Sequence, residues 1–173
     1  MVNLYMDVND ILKNMQNISY GWIDNQGNKH IDDFDSFSEE YILQSPKEVE
    51  KNKVGVCWDQ VELERYYIGK YFPTKTFFIV YFDGDKCPTH TFLVFKRENS
   101  YYWVENSWEI FRAIHKYDSI NELLVDVKNK FIQYELNNDC DIENIFLYEY
   151  DEPKYHLNVQ DYFEHCTSGK LIK

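Results

Sequence analysis

Apolar positions recur at helical spacing over Val8 to Met15, which predicts a short amphipathic helix at the start of the chain. Two extended pieces follow, Ser19 to Asp24 and Lys29 to Asp33, around the turn-forming Asn25-Gln26-Gly27-Asn28. Ser36 and Ser38 ahead of Glu39 and Glu40 read as a helix start, and Ser45-Pro46 with Glu48 reads as another, because proline is tolerated at the first helical position. From Cys57 to Tyr71 the apolar Val61, Tyr66 or Tyr67, and Ile68 alternate with the charged Glu62, Glu64 and Arg65. This pattern predicts a helix of about four turns that ends near Gly69 and Pro73.

A strand-rich stretch comes next. Thr76 to Phe82 is a continuous apolar run, predicted to be a strand buried on both sides. Thr89 to Lys96 and Tyr101 to Asn106 flank Arg97-Glu98-Asn99-Ser100 as the arms of a hairpin, and Glu109 to His115 extends the sheet. Ser119 to Leu136 is a strongly periodic helix capped by Ser119, with Leu123, Leu124, Val127 and Phe131 on its apolar side. Ile145 to Tyr150 is a last strand and Leu157 to Cys166 a terminal helix. Helices followed by a run of strands predict an α+β domain, helices packed on an antiparallel sheet, over residues 1–173 as a single unit.

Composition narrows the function classes. The chain of 173 residues carries 18 Lys and Arg against 30 Asp and Glu, a formal charge of −12. Such a surface repels a phosphate backbone and suits a neutral or cationic substrate; the only basic cluster is Lys170 to Lys173. The longest apolar run, Phe77 to Phe82, is far short of the ~20 residues needed to cross a bilayer. No apolar block after a basic start marks a secretory leader, so the expected compartment is the cytoplasm, with no nucleic-acid or membrane partner. Aromatic residues make up 18% of the chain, and a single alanine, Ala113, predicts a core packed with large rings.

Cys57, Cys87, Cys140 and Cys166 lie far apart, without zinc-finger spacing, so a metal site has only the pair His165-Cys166 to build on and no cofactor is implied. Three of these cysteines are expected to pack and one to react. Gly55-Val56-Cys57-Trp58 places Cys57 at the first turn of a helix, after a glycine free to take a conformation closed to other residues. Unpaired amides and the helix dipole at such a position favour thiolate over thiol and can hold an oxyanion. His90 heads an otherwise apolar strand, from which a ring can point at a neighbouring helix start as a base, with His115 as its rival.

The third member depends on hairpin register. A four-residue loop pairs 96 with 101 and 90 with 107, leaving Glu105 as a diagonal neighbour of His90; a three-residue loop gives that place to Asn106. A two-residue loop is disfavoured, because neither Arg-Glu nor Glu-Asn suits two positive φ angles. Either side chain can orient the imidazole, but only the carboxylate also stabilises an imidazolium.

The order Gly-x-Cys-Trp at Gly55 to Trp58, His90 at a strand start, then an acid or amide after Trp103 resembles the transglutaminase-like branch of the papain-like cysteine enzymes. Asn106-Ser107-Trp108 is similar to the Asn-Ser-Trp of papain-type peptidases. The resemblance covers about a third of the chain. It implies a papain-like or transglutaminase-like fold with Cys57 as nucleophile, His90 as base, and Glu105 or Asn106 as the orienting residue. Transglutaminases usually carry Asp at the third position, and papain-type enzymes carry Gln where this chain has Lys51; Trp22 is the candidate for a second oxyanion donor.

The implied activity is acyl transfer on a peptide, protein or small amide, through a thioester that water or an amine resolves: a peptidase, amidase, deamidase or transglutaminase. The alternative is a silent binding module that presents Tyr66, Tyr67, Tyr101, Tyr102 and Trp108 as a recognition surface.

Overall fold

A computed structural model describes residues 7–84 and 87–172. Helix α1 (Val8–Met15) is capped by Asp7, whose carboxylate accepts the Asn9 amide, and buries Val8, Ile11 and Met15. Strands β1 (Trp22–Ile23) and β2 (Lys29–His30) form a small antiparallel pair. Two short helices follow, α2 (Phe37–Glu40) and α3 (Pro46–Asn52). The Glu48 carboxylate accepts the Ser45 amide, closing one half of a capping box at the start of α3. Helix α4 (Cys57–Ile68) then runs into the main sheet.

That sheet is antiparallel and six-stranded. It comprises β3 (Thr74–Tyr81), β4 (Thr89–Arg97), β5 (Ser100–Glu105), β6 (Ala113–Tyr117), β7 (Ile145–Tyr150) and β8 (Lys170–Ile172), in the spatial order β6-β5-β4-β3-β7-β8. Helix α5 (Ile120–Glu135) lies between β6 and β7 in sequence, and α6 (Val159–Thr167) between β7 and β8. The expected α+β class is therefore observed. Because β3 and β4 are central, their alternating side chains feed two cores. Phe77, Ile79, Phe92 and Val94 pack with Leu123, Val127 and Phe131 of α5 on one face. On the other, Leu93 and Phe95 meet Val61 and Ile68 of α4, while Phe78 and Val80 meet Trp58 and, from α6, Tyr162.

Several expectations need correction. The β4–β5 register follows the 96-to-101 pairing, but the ladder continues to Arg97↔Ser100, so the loop is the two residues Glu98 and Asn99. Only Glu98, at φ 55°, takes the left-handed region, which removes the objection based on two positive angles. Residues 109–111 form a 3₁₀ turn rather than strand. The basic tail contributes β8, an edge strand paired with β7 through Leu147↔Ile172; Lys173 lies outside the described residues.

Helix α4 is not amphipathic: Asp59, Gln60, Glu62 and Glu64 are all buried, because other elements cover it on the sides away from the sheet as well. Of the three cysteines expected to pack, Cys166 is buried and Cys140 half-buried, but Cys87 is exposed in the β3–β4 connection. Among the described residues no helix is long and apolar enough to cross a membrane.

Candidate functional site

The segment entering α4 is held by side chains from three directions. The amides of Gln44 and Asn52 lie on one side, where Gln44 Nε2 donates to the Val54 carbonyl and Asn52 Nδ2 to Gln44 Oε1. Gln60 Nε2 donates to the Gly55 carbonyl, and the Gly55 amide to the Ser19 carbonyl. Asp59 reaches back one turn: its Oδ2 accepts the Val56 amide at 3.0 Å, and its Oδ1 accepts the Gln44 amide at 2.9 Å and the Tyr41 hydroxyl at 3.1 Å. Gly55 does not need a positive φ, contrary to expectation; a Cβ there would stand 2.8 Å from the Asp59 Cβ, so glycine serves the close approach of the capping acid.

Burial pushes the Asp59 carboxyl up to about 7 even though the donors from Gln44, Val56 and Tyr41 pull the other way. Replacing Asp59 with Ala strands three buried donors. The expected cost is about 3 kcal/mol or more of unfolding free energy, measured in urea, together with slower modification of Cys57; a loss below about 1 kcal/mol would remove Asp59 from this role.

The result of this bracing is that Cys57 opens the 12-residue α4, retaining 6% of its surface exposed. Among the described residues, the amides of Cys57 and Trp58 donate to no protein acceptor. The Cys57 thiol stands close enough to His90 to contribute to raising the ring's basicity. The His90 Nε2–H donates to Glu105 Oε2 at 2.8 Å, which leaves Nδ1 outside that bond. The β4–β5 ladder stops at Leu93↔Val104, so His90 and Glu105 stand past the last rung, where the two strands have parted. The pair is fully enclosed, with His90 1% and Glu105 2% exposed. Burial lowers the basicity of His90, but the charge of Glu105, the nearby Cys57 thiol and the hydrogen bond to Glu105 outweigh it, and the ring is raised to about 10.

Trp108 completes the arrangement. Its ring stacks on His90 at 3.6 Å between centroids and 13° between planes. Its amide donates to Glu105 Oε1 at 2.7 Å and its indole N–H to Glu135 Oε1 at 2.7 Å. One residue thus fixes both the ring plane and the second carboxylate oxygen. Tyr20 stands beside the same groups: although the residue is 48% exposed, desolvation of its hydroxyl, then the proximity of Cys57, Glu135 and Glu105, raises that hydroxyl above the ordinary phenol value, while its ring packs 6.0 Å from Phe34.

The chain thus brings Cys57, His90 and Glu105 together. Asn106 is adjacent but turned away, its Nδ2 donating to the Met15 carbonyl at 3.1 Å and to Gln60 Oε1 at 2.6 Å. His115 is elsewhere, stacked on Trp103 and bonded to the Phe111 carbonyl. Trp22 does not serve as an oxyanion donor, because its indole N–H is committed to the Asp33 carbonyl at 2.7 Å. Lys51 is exposed on α3.

Tyr20, Gln60 and Glu64 had no signal of their own in the sequence. Trp108 did, as part of Asn106-Ser107-Trp108, but its stacking role did not follow from the motif. Among the described residues no group of three or more His, Cys, Asp or Glu is placed to hold a metal ion. No protein-family model matches the chain, and no curated protein matches it significantly.

Proposed function

We propose that this protein is a cysteine-dependent acyl-transfer enzyme of the papain-like, transglutaminase-like kind, acting on an amide of a peptide, protein or small molecule in the cytoplasm. The observation that carries the reading is the buried bond from His90 Nε2 to Glu105 at 2.8 Å, with Cys57 near enough to the ring to raise its basicity. In this scheme the thiol proton rests on His90 and the sulfur attacks the amide carbonyl carbon. The developing oxyanion takes the free amides of Cys57 and Trp58 at the positive end of α4. As the C–N bond breaks, His90 returns its proton to the departing amine, leaving a thioester on Cys57. Water or a second amine, deprotonated by His90, then attacks that thioester and frees the thiol. Glu105 holds the ring and balances its charge throughout.

Of the aromatic recognition surface, Trp108 is 3% exposed and stacked on His90, whereas Tyr66 is exposed and Tyr67, Tyr101 and Tyr102 are half-buried. The test is an amide panel of glutamine-, asparagine- and glycine-containing peptides, with and without a primary amine. Release of ammonia or amine, lost in Cys57→Ala while the far-ultraviolet spectrum is kept, supports the enzyme. Wild type and Cys57→Ala behaving alike across the panel, with peptide binding retained, would overturn it in favour of the silent module.

A further inference from the structure

Large apolar side chains left in solvent are not spread evenly over the described surface. Five of them, Tyr20, Ile31, Phe34, Ile110 and Tyr134, fall into two clusters that adjoin the candidate site. The first adjoins the cysteine. Tyr20 follows Ser19, whose amide donates to the Lys53 carbonyl at 3.0 Å and whose carbonyl accepts the Gly55 amide at 3.1 Å, so it lies alongside the segment that delivers Cys57. Its ring stands 6.0 Å from Phe34, Phe34 stands 5.8 Å from Phe37, and Phe37 stands 5.9 Å from Trp58, the residue after Cys57. Trp22 holds this loop by donating its indole N–H to the Asp33 carbonyl. The second cluster adjoins the histidine. Tyr134 and Phe111 stand 5.7 and 5.9 Å from Trp108, whose ring stacks on His90, and Ile110 is exposed on the same 3₁₀ turn as Phe111.

Charge follows the same layout. Asp33 and Asp35 bracket Phe34, and Glu109 precedes Ile110; all three acids are exposed. The cations nearest them in the chain are directed at other groups: Lys29 donates to the Asn52 carbonyl, Arg112 to the Asn106 carbonyl and Lys130 to Asp126. Exposed apolar patches rimmed by charge mark surfaces that a ligand covers.

We propose that these two clusters are the walls of the substrate cleft, and that the substrate is a peptide with an aromatic or branched apolar residue at the scissile amide and a basic residue beside it. Phe34 and Tyr134 take the apolar side chain out of water, while Asp33, Asp35 and Glu109 meet the basic one. This substrate assignment rests on the reading of Cys57, His90 and Glu105 as a reacting unit, and narrows it from any amide to one class of peptide.

Four affinity labels test it: the chloromethyl ketones of acetyl-Lys-Phe, acetyl-Lys-Gly, acetyl-Glu-Phe and acetyl-Glu-Gly, each of which alkylates a thiolate with loss of chloride. Wild type is expected to react at Cys57 about tenfold faster with the Phe labels than with the Gly labels. Within each variant that ratio is expected to fall to about threefold in Phe34→Ala and in Tyr134→Ala. The Lys labels are expected to outpace the Glu labels by about threefold, a preference lost in about 0.5 M salt and in Asp33→Asn with Asp35→Asn. Phe and Gly labels reacting alike, or a Phe preference that survives both ring variants, would overturn the walls; Lys and Glu labels reacting alike would overturn the basic residue.

Iodoacetamide, which has no side chain for the walls to read, separates the two levels. A Cys57 as slow as Cys87 with iodoacetamide sinks the enzyme reading, whereas a fast Cys57 that treats all four labels alike sinks the substrate class alone. The amides of the same four peptides, titrated into Cys57→Ala, read the cleft without any reaction: about tenfold tighter binding of the Lys-Phe amide than of the Glu-Gly amide supports it, and equal binding overturns it.

Discussion

Iodoacetamide at pH 6.5 is expected to modify Cys57 first, about tenfold faster than Cys87, with Cys166 untouched until the protein unfolds. Rate follows the thiolate fraction, and an ordinary thiol is only about 1% ionised at this pH. Cys87 is a sound internal reference because it is exposed, while partial burial pushes its thiol up rather than down. Cys166 is fully buried, and burial raises it far above the ordinary range. For Cys57 the expected advantage in the proposed mechanism is His90 as the acceptor of the thiol proton.

Replacing His90 with Ala removes both the proton acceptor and the counter-charge. Alkylation of Cys57 is expected to fall by about 100-fold, to below Cys87. Glu105→Gln tests the same pair through pH. With the carboxylate gone, burial meets less opposition and the His90 ring, held near 10 in the wild type, falls, followed by the ring proton resonances. In the wild type the pair's stabilisation is complete below the ordinary histidine value of 6.5 and is lost as pH rises through about 10. Labelling of Cys57 and Cys87 at one rate in the folded wild type is the result that removes the enzyme reading.

The second large effect is on stability. Glu62→Ala is expected to cost about 3–5 kcal/mol in urea unfolding. Glu62 is wholly buried and receives Arg65 Nε at 2.8 Å, while Arg65 also donates to Thr76 Oγ1 at 2.6 Å. Tyr150 donates its hydroxyl to the same carboxylate at 3.2 Å and meets the Tyr162 hydroxyl at 3.0 Å. Through these bonds one glutamate ties α4 to β3, β7 and α6. Burial works against the Arg65 charge, but Glu62 outweighs it and raises the guanidinium above its ordinary value.

Deleting Glu62 alone strands that cation in the core. Deleting both partners, as Glu62→Leu with Arg65→Met, is expected to cost clearly less than Glu62→Ala, because no unpaired charge remains. A double variant as unstable as Glu62→Ala, or a single variant losing under about 1 kcal/mol, would show that the pair does not brace the helix.

These two predictions differ in how far the sequence could have reached them. Val8–Met15 and Ile145–Tyr150 are bounded as periodicity and capping predict, because both signals lie within a few residues of the elements they define. The same is true of Cys57 at the head of α4 and of His90 and Glu105 flanking one hairpin. Glu62 and Glu64 were indistinguishable from solvent-facing acids, since helical spacing records only which residues share a face. Here α1, α3 and α6 close the faces that the sheet leaves open.

The place of Cys57 at the start of a helix and of His90 and Glu105 about one hairpin was therefore legible by residue type and order, and so was the α+β class, because local periodicity and caps carry that information. The tertiary structure decided which candidate meets the ring: the ladder ends at Leu93↔Val104, Trp108 clamps the Glu105 carboxylate, and Gln60 with Met15 draws Asn106 away. It also decided which acids lie inside and which cysteine stays in solvent. Register and enclosure come from partners distant in the chain, and no local pattern of side chains records where those partners will stand.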